Sequence, residues 1–316
     1  MSTCFNNADH DNPLDPMSGE YQNLGTLEGH VYTYYAPFLP IESALITLFP
    51  GNQTTFTDHQ GAFYFIKITP GNYVITANYA DYAPDTVQAQ VISHQTTSIQ
   101  LNLDGLPVLD SLSLAIGFKH EYIPFEPSRL VDCNARVSDP DGPADIESVA
   151  MFIPFFDYKD TLGMSPTMGF YQKSYEERNL PIDHIEQLLG HAVFIEITDK
   201  VGKMCRYGPN YLIRVIDEEP EIESPKESAL VSAQPKLKWK SLQLPYSFSF
   251  KVDIYAIVGN QIQFPAIRTY SEISSDITDF HLSKPLNSSL YLWTVSIVDR
   301  WGDWSRSKPA TFQVGE

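Results

Sequence analysis

The chain has 316 residues and a formal net charge of −18; that length suits two or three domains, and so acidic a surface repels phosphate backbones, which sets nucleic acid aside as a partner. No apolar run approaches the roughly 20 residues of a membrane helix, and Pro (23) outnumbers Gly (17) amid short alternating runs rich in Thr, Val and Ile, which favours strands over helices. Three cysteines, with no CxxC and no Cys/His cluster at zinc spacing, exclude a zinc scaffold.

Residues 1–26 crowd Asn, Asp, Pro, Ser and Gly together and read as a flexible tether, because such a stretch buries too little apolar surface to order itself. Cys4, followed by Asn12-Pro13-Leu14-Asp15-Pro16, resembles the mature end of bacterial lipoproteins. The resemblance implies that Cys4 carries a lipid anchor, the chain's sole link to a membrane. Thr3 departs from that family's pattern, and only Met1-Ser2-Thr3 precede the cysteine; the expectation is that a signal segment belongs ahead of this start.

Residues 27–104 alternate with period two. Ala44, Ile46 and Leu48 share one strand face, as do Phe63 and Phe65, Tyr73, Ile75 and Ala77, and Ile99, Leu101 and Leu103. Pro50-Gly51, Asp58-His59-Gln60-Gly61 and Pro70-Gly71 mark turns between them. Five or more short strands at this spacing make a β-sandwich. The order Gly29-x-Val31, Ala44–Leu48, Thr57-Asp58-x-x-Gly61-x-Phe63-x-Phe65, Pro70-Gly71-x-Tyr73 and Thr97-x-Ile99-x-Leu101 resembles the carboxypeptidase regulatory-like domain. That resemblance implies a structural accessory without catalytic residues, in keeping with the lack of any HxxE or HExxH in the chain.

Residues 105–218 form a second expected sandwich. The strand Val131–Val137 alternates with Cys133 on its apolar face and runs into Asp139-Pro140-Asp141-Gly142, followed by Asp145-Ile146. A late Thr198-Asp199-x-x-Gly202 turn follows the strand Ala192–Ile197. This pattern resembles bacterial immunoglobulin-like or cadherin-like surface domains. Asp139, Asp141 and Asp145 are candidate hard-oxygen ligands for calcium. The competing and favoured reading is a solvated turn in which Asp caps the backbone and Gly takes a special conformation. Cys133 and Cys205 are a candidate disulfide, which an oxidising compartment would permit. The segment 151–175 gathers Phe155, Phe156, Tyr158, Phe170 and Tyr171 around Gly and Pro. It is either a binding loop or, the favoured reading, an insertion folded back onto the core. Residues 182–189 are the expected helix.

Residues 219–316 form the third expected sandwich, after a charged boundary at Asp217-Glu218-Glu219-Pro220. Pro235-x-Leu237-x-Trp239 and Tyr291-x-Trp293-x-Val295-x-Ile297-x-Asp299-x-x-Gly302 resemble a fibronectin type III domain of bacterial surface proteins. The resemblance makes Trp239 the core tryptophan and Tyr291 a structural aromatic. Trp301 and Trp304 sit at a hairpin tip, either stacking on a sugar or partner or, the favoured reading, packing on the neighbouring strand.

The expectation is thus an all-β chain, three tandem sandwiches after a tether, and not an enzyme. Its expected role is a lipoprotein of the cell envelope, on the outer membrane or cell surface, that binds or scaffolds a protein or glycan partner. A structural subunit of an extracellular fibre or envelope complex is the alternative, and an enzyme accessory acting on glycans or peptides ranks last.

Overall fold

The computed structural model describes Asp15 and residues 23–120, 127–259 and 261–315. Cys4 and nearly all of the expected tether lie outside the described residues. Among those residues the helical elements are three single-turn 3-10 segments, Pro154–Phe156, Glu177–Asn179 and Ile185–Leu188. The helix expected over 182–189 is the last of these. Ile185 and Leu188, three residues apart, eclipse on a 3-10 turn and are both buried, so the pair is anchored without a longer helix. No helix among the described residues is long and apolar enough to cross a membrane.

The chain divides into two compact units. The first comprises the described residues up to Val108, with Ser138–Glu147 and Asp199–Met204; the second comprises Leu109–Val137, Ser148–Thr198 and the described residues from Cys205 onward.

Unit 1 is built on β1 (Gly25–Thr33), β2 (Leu45–Phe49), β3 (Gln53–Phe56), β4 (Ala62–Ile68), β5 (Gly71–Asn78), β6 (Tyr82–Ala83), β7 (Asp85–Val91) and β8 (Thr96–Gly105). They form two four-stranded sheets, ordered β4-β1-β8-β6 and β3-β2-β5-β7. β1 runs antiparallel to β4 and parallel to β8, in register from Thr26↔Thr96 to Thr33↔Leu103. The period-two pattern is what makes the sandwich: Leu27, Gly29 and Val31 are buried while Thr26, Glu28 and His30 between them are only partly so. Leu27, Val31, Ile46, Leu48, Phe63, Ile75, Leu101 and Leu103 close the core.

The remaining strands are β9 (Val108–His120), β10 (Pro127–Ser138), β11 (Ile146–Ile153), β12 (Tyr158–Thr161), β13 (Gly163–Met164), β14 (Phe170–Glu176), β15 (Ala192–Asp199), β16 (Met204–Tyr211), β17 (Ile222–Ser224), β18 (Ala229–Val231), β19 (Lys236–Trp239), β20 (Phe248–Val258), β21 (Gln261–Ile262), β22 (Arg268–Ser274), β23 (Asp279–His281), β24 (Ser289–Asp299), β25 (Trp304–Arg306) and β26 (Ala310–Val314). Three sheets result. One is ordered β12-β11-β15-β16 and one β17-β19-β23. The largest has eleven strands along β13-β14-β10-β9-β25-β24-β20-β21, with β22, β26 and β18 paired beside that path. Parallel pairing of β25 with β9, Trp304↔Gly117 and Ser305↔Phe118, carries this sheet past the boundary expected at 218/219. The aromatic segment 151–175 is built mainly of strand: it holds β12, β13, the end of β11 and most of β14, and β14 pairs with β10 from Leu130↔Glu176 to Arg136↔Phe170. Trp239 and Trp293 are both fully buried with Phe250 and Phe312 in the core of unit 2. Tyr291 is buried too and donates its hydroxyl to the Asn287 carbonyl at 2.9 Å.

The expected Cys133–Cys205 bridge is not formed. Cys133 is sealed in the interior on β10, opposite Lys173 of β14, whereas Cys205 lies on β16 at the edge of a different sheet. Burial pushes the Cys133 thiol up to about 12, so it stays protonated and unreactive.

Gly29 offers a test of the unit 1 core. A methyl group there would come within 2.5 Å of the Phe63 ring and 2.8 Å of Ile99. Gly29→Ala should lower stability by about 1–3 kcal/mol in urea unfolding. Gly71→Ala, whose methyl group would meet only Tyr73 at 3.8 Å, should be close to neutral.

Candidate functional site

The seven aromatics expected on a binding surface do not form one surface. Phe155 and Phe156 sit on the 3-10 turn between β11 and β12, which closes through Asp157 at φ 48°. Phe155 is exposed and stacks on His191 at 3.9 Å, with Phe156 edge-on to the same ring. Tyr158 packs edge-to-face on Tyr175. Phe170 lies under the Arg136 guanidinium at 5.4 Å. Tyr171 is a correction to the expectation: alternation along β14 turns it inward, and it is 7% exposed. Trp301, at the β24–β25 tip, lies between the guanidinium groups of Arg300 (3.9 Å) and Arg214 (4.8 Å).

Trp304 is differently placed. Its ring lies against Gly117 of β9, where any side chain would collide with it. Its indole N–H donates to Asp132 Oδ2 at 3.1 Å, and Asp132 Oδ1 accepts the Ser174 hydroxyl. Ring and partner line a cleft of about 310 Å³ with Lys251, Asp253, Tyr255, Ser296, Val298 and Arg306. Lys251 Nζ pairs with Asp253 at 3.1 Å, and the Thr269 hydroxyl fixes the same carboxylate at 2.6 Å. The cleft thus offers an aromatic surface ringed by oriented acids and cations. Trp301 and Trp304 were legible as a pair at a hairpin tip, but the acids and Lys251 come from strands remote in sequence and carried no local signal.

The second constellation lies in unit 1. The structure brings Asp141 and Asp145 together with Asp104, one carboxylate oxygen of each lying within 4.8 Å of the others. Asp139 and Asp199 adjoin them, and both are buried. The loop around Asp139 is built as a capped turn: Asp139 Oδ1 accepts the Asp141 N–H at 2.8 Å, and the Gly142 N–H donates to the Asp139 carbonyl at 2.9 Å. Asp141 Oδ2 accepts the Gly105 N–H at 2.6 Å. Asp145 Oδ1 accepts the Tyr35 hydroxyl at 2.8 Å, a bond that raises the tyrosine's pKa. Burial, then the neighbouring carboxylates, pushes Asp104 up to about 7. Burial likewise pushes Asp139 up to about 6 and raises Asp141. Asp104 and Asp199 were not among the expected ligands. Asp104 ends the last strand of one sequence block, and only the fold sets it beside the Asp139 loop.

Residues 26–104 match the family model of the carboxypeptidase regulatory-like domain, and the chain as a whole is an all-β protein of sandwich domains. Solved structures similar to it include the Bacillus anthracis TIE protein, 9% identical over 93% of this chain and 49% of that one, TM-score 0.27. This chain therefore spans about half the length of that protein. A putative carbohydrate binding protein from Bacteroides uniformis is 12% identical over 60% of this chain and 93% of its own, TM-score 0.25. The chicken CNTN1 FN1–FN3 domains are 12% identical over 87% and 92%, TM-score 0.30. No curated protein matches the chain.

Asp303, beside the tip tryptophans, gives a pH test. It is buried, accepts the Ile116 N–H at 2.7 Å, and burial pushes it up to about 6. The folded state therefore keeps a proton that the unfolded state releases near pH 4. The stability this group contributes is complete below about pH 4 and lost as pH rises through about 6. Asp303→Asn keeps an acceptor without the charge. Relative to the native chain, it should gain about 2–3 kcal/mol in urea unfolding between pH 4 and pH 7. A constant difference would exclude the shift.

Proposed function

We propose that the chain is a non-catalytic module of the cell envelope that binds a glycan in the Trp304 cleft. The carrying observation is the cleft itself. A half-buried indole lies beside Asp132, Asp253, Lys251 and Arg306 in a depression of about 310 Å³, within the size range of small-ligand sites. A sugar has apolar C–H faces and a rim of hydroxyls. An aromatic face supplies the first contact, and fixed carboxylates and cations supply partners for the second. The proposal places the chain at the outer membrane or cell surface through a lipid on Cys4. A fibre subunit is the second reading. It draws on β3, a sheet-edge strand with largely exposed side chains, to which a neighbouring strand could add.

On an array of microbial and host polysaccharides the full chain should bind a defined subset. Trp304→Ala should weaken that binding about tenfold or more. Because Trp304 also packs on Gly117, Lys251→Ala serves as a second variant, and urea unfolding checks that each variant is folded at the binding temperature. Binding equal to the native chain in both variants, or binding to no glycan, would exclude the cleft reading. Concentration-dependent assembly into polymers would favour the fibre reading instead.

The anchor has its own check. Intact-mass analysis of the chain expressed from its full-length gene and recovered from membranes should give a diacylglycerol-modified species beginning at Cys4. An unmodified chain retaining Met1 would remove the anchor.

A further inference from the structure

We infer that unit 1 holds a calcium ion on Asp104, Asp141 and Asp145, with Asp139 and Asp199 supplying further oxygens. The first support is spacing. Two oxygens bound to one calcium at about 2.3–2.6 Å can stand no more than about 5 Å apart. One oxygen from each of the three leading carboxylates meets that limit.

The second support is independent of the clustering. Asp104 is 5% exposed, and neither of its oxygens has a hydrogen-bond partner. Asp139, Asp145 and Asp199 are also buried, and each leaves its Oδ2 without a partner. Buried carboxylate oxygens without donors are rare, because desolvation penalises the charge and nothing offsets it. The charged groups acting on Asp104 are themselves acids, namely Asp199, Asp141, Asp145 and Asp139.

The oxygens that do have partners orient the site. Asp139 Oδ1 is held by the Asp141 N–H, Asp145 Oδ1 by the Tyr35 hydroxyl, and Asp199 Oδ1 by the Lys203 N–H at 2.7 Å. In each, one oxygen fixes the carboxylate and the other is left to a ligand, as outer-shell bonds do in metal sites. Gly105 makes room: a methyl group there would come within 3.0 Å of Asp139 Oδ1 and Asp141 Oδ2. A donor set made of carboxylate oxygen alone selects a hard cation over zinc or copper.

The test uses the full chain after treatment with a chelator, with calcium chloride as the probe. Millimolar calcium should raise the thermal midpoint of the native chain by several degrees, and calorimetry should show saturable binding of one ion per chain. Asp104→Asn keeps the shape of the side chain and removes one of the crowded charges. Without calcium this variant should melt above the native chain; with calcium the order should reverse, and its calcium affinity should fall about tenfold or more. Three results would overturn the inference. They are no midpoint shift and no binding heat with calcium, a shift in Asp104→Asn equal to that of the native chain, or a larger response to magnesium than to calcium.

Discussion

One small interaction recurs at four tight turns of this chain: an aspartate that closes a turn on a glycine three residues later. It occurs at Asp58–Gly61, Asp139–Gly142, Asp199–Gly202 and Asp299–Gly302. In each, the glycine N–H donates to the aspartate carbonyl at 2.9–3.1 Å. The four glycines take φ between 74° and 104°, which a side chain would strain. The aspartate carboxylate then accepts amides inside the loop: Gln60 and Ala62 for Asp58, Asp141 for Asp139, Lys203 for Asp199, and Trp301 and Asp303 for Asp299. At Asp199 and Asp299 the turn joins hairpin partners, β15 to β16 and β24 to β25, and so helps set their register; at Asp58 and Asp139 it carries the chain from one sheet to another.

The same turn meets different surroundings. At Asp58 the carboxylate stands in solvent, and its bonds to the Ala62 and Gln60 amides lower its pKa. At Asp299 the second oxygen takes Arg214 at 3.1 Å, and that guanidinium also lies 3.7 Å from the Tyr246 ring. Local charge is thus balanced beneath the tip that carries Trp301. At Asp139 and Asp199 the capping oxygen is used in the same way, but the second oxygen is buried without a partner. Two structural turns therefore contribute spare carboxylate oxygens to one buried place, beside Asp104. A turn motif and the inferred ligand set are compatible here, because the first orients the carboxylates that the second would use.

Much of this was legible in the sequence. Alternation located β1, β20 and β24, and the turn residues located the hairpins, because both signals are local. Trp239 and Tyr291 stood out as structural aromatics and are buried as such. What the sequence hid depends on contacts between distant segments. Gly117 gives no hint that Trp304 rests on it, and Asp104 gives none that it meets Asp141. Cys133 and Cys205 invited pairing by their number and by their places early and late in one expected sandwich, but their strands belong to different sheets and no bridge joins them. The aromatic segment read as either a binding loop or, favoured, an insertion folded onto the core; it is a series of short strands, with Pro154, Pro166 and Gly169 in the turns between them. Tyr171 turns inward there while Phe170 beside it faces out.

The most direct test of the buried carboxylate cluster as a cation site is amide hydrogen exchange on the full chain, with calcium and with a chelator. The amides of Gly105, Asp141, Lys200 and Lys203 all lie on segments that the cluster draws together. Calcium should slow their exchange strongly and leave the β20–β24 core of unit 2 unchanged, because an ion that binds only the closed arrangement suppresses local opening there. Equal exchange at those four amides in both conditions would contradict the account.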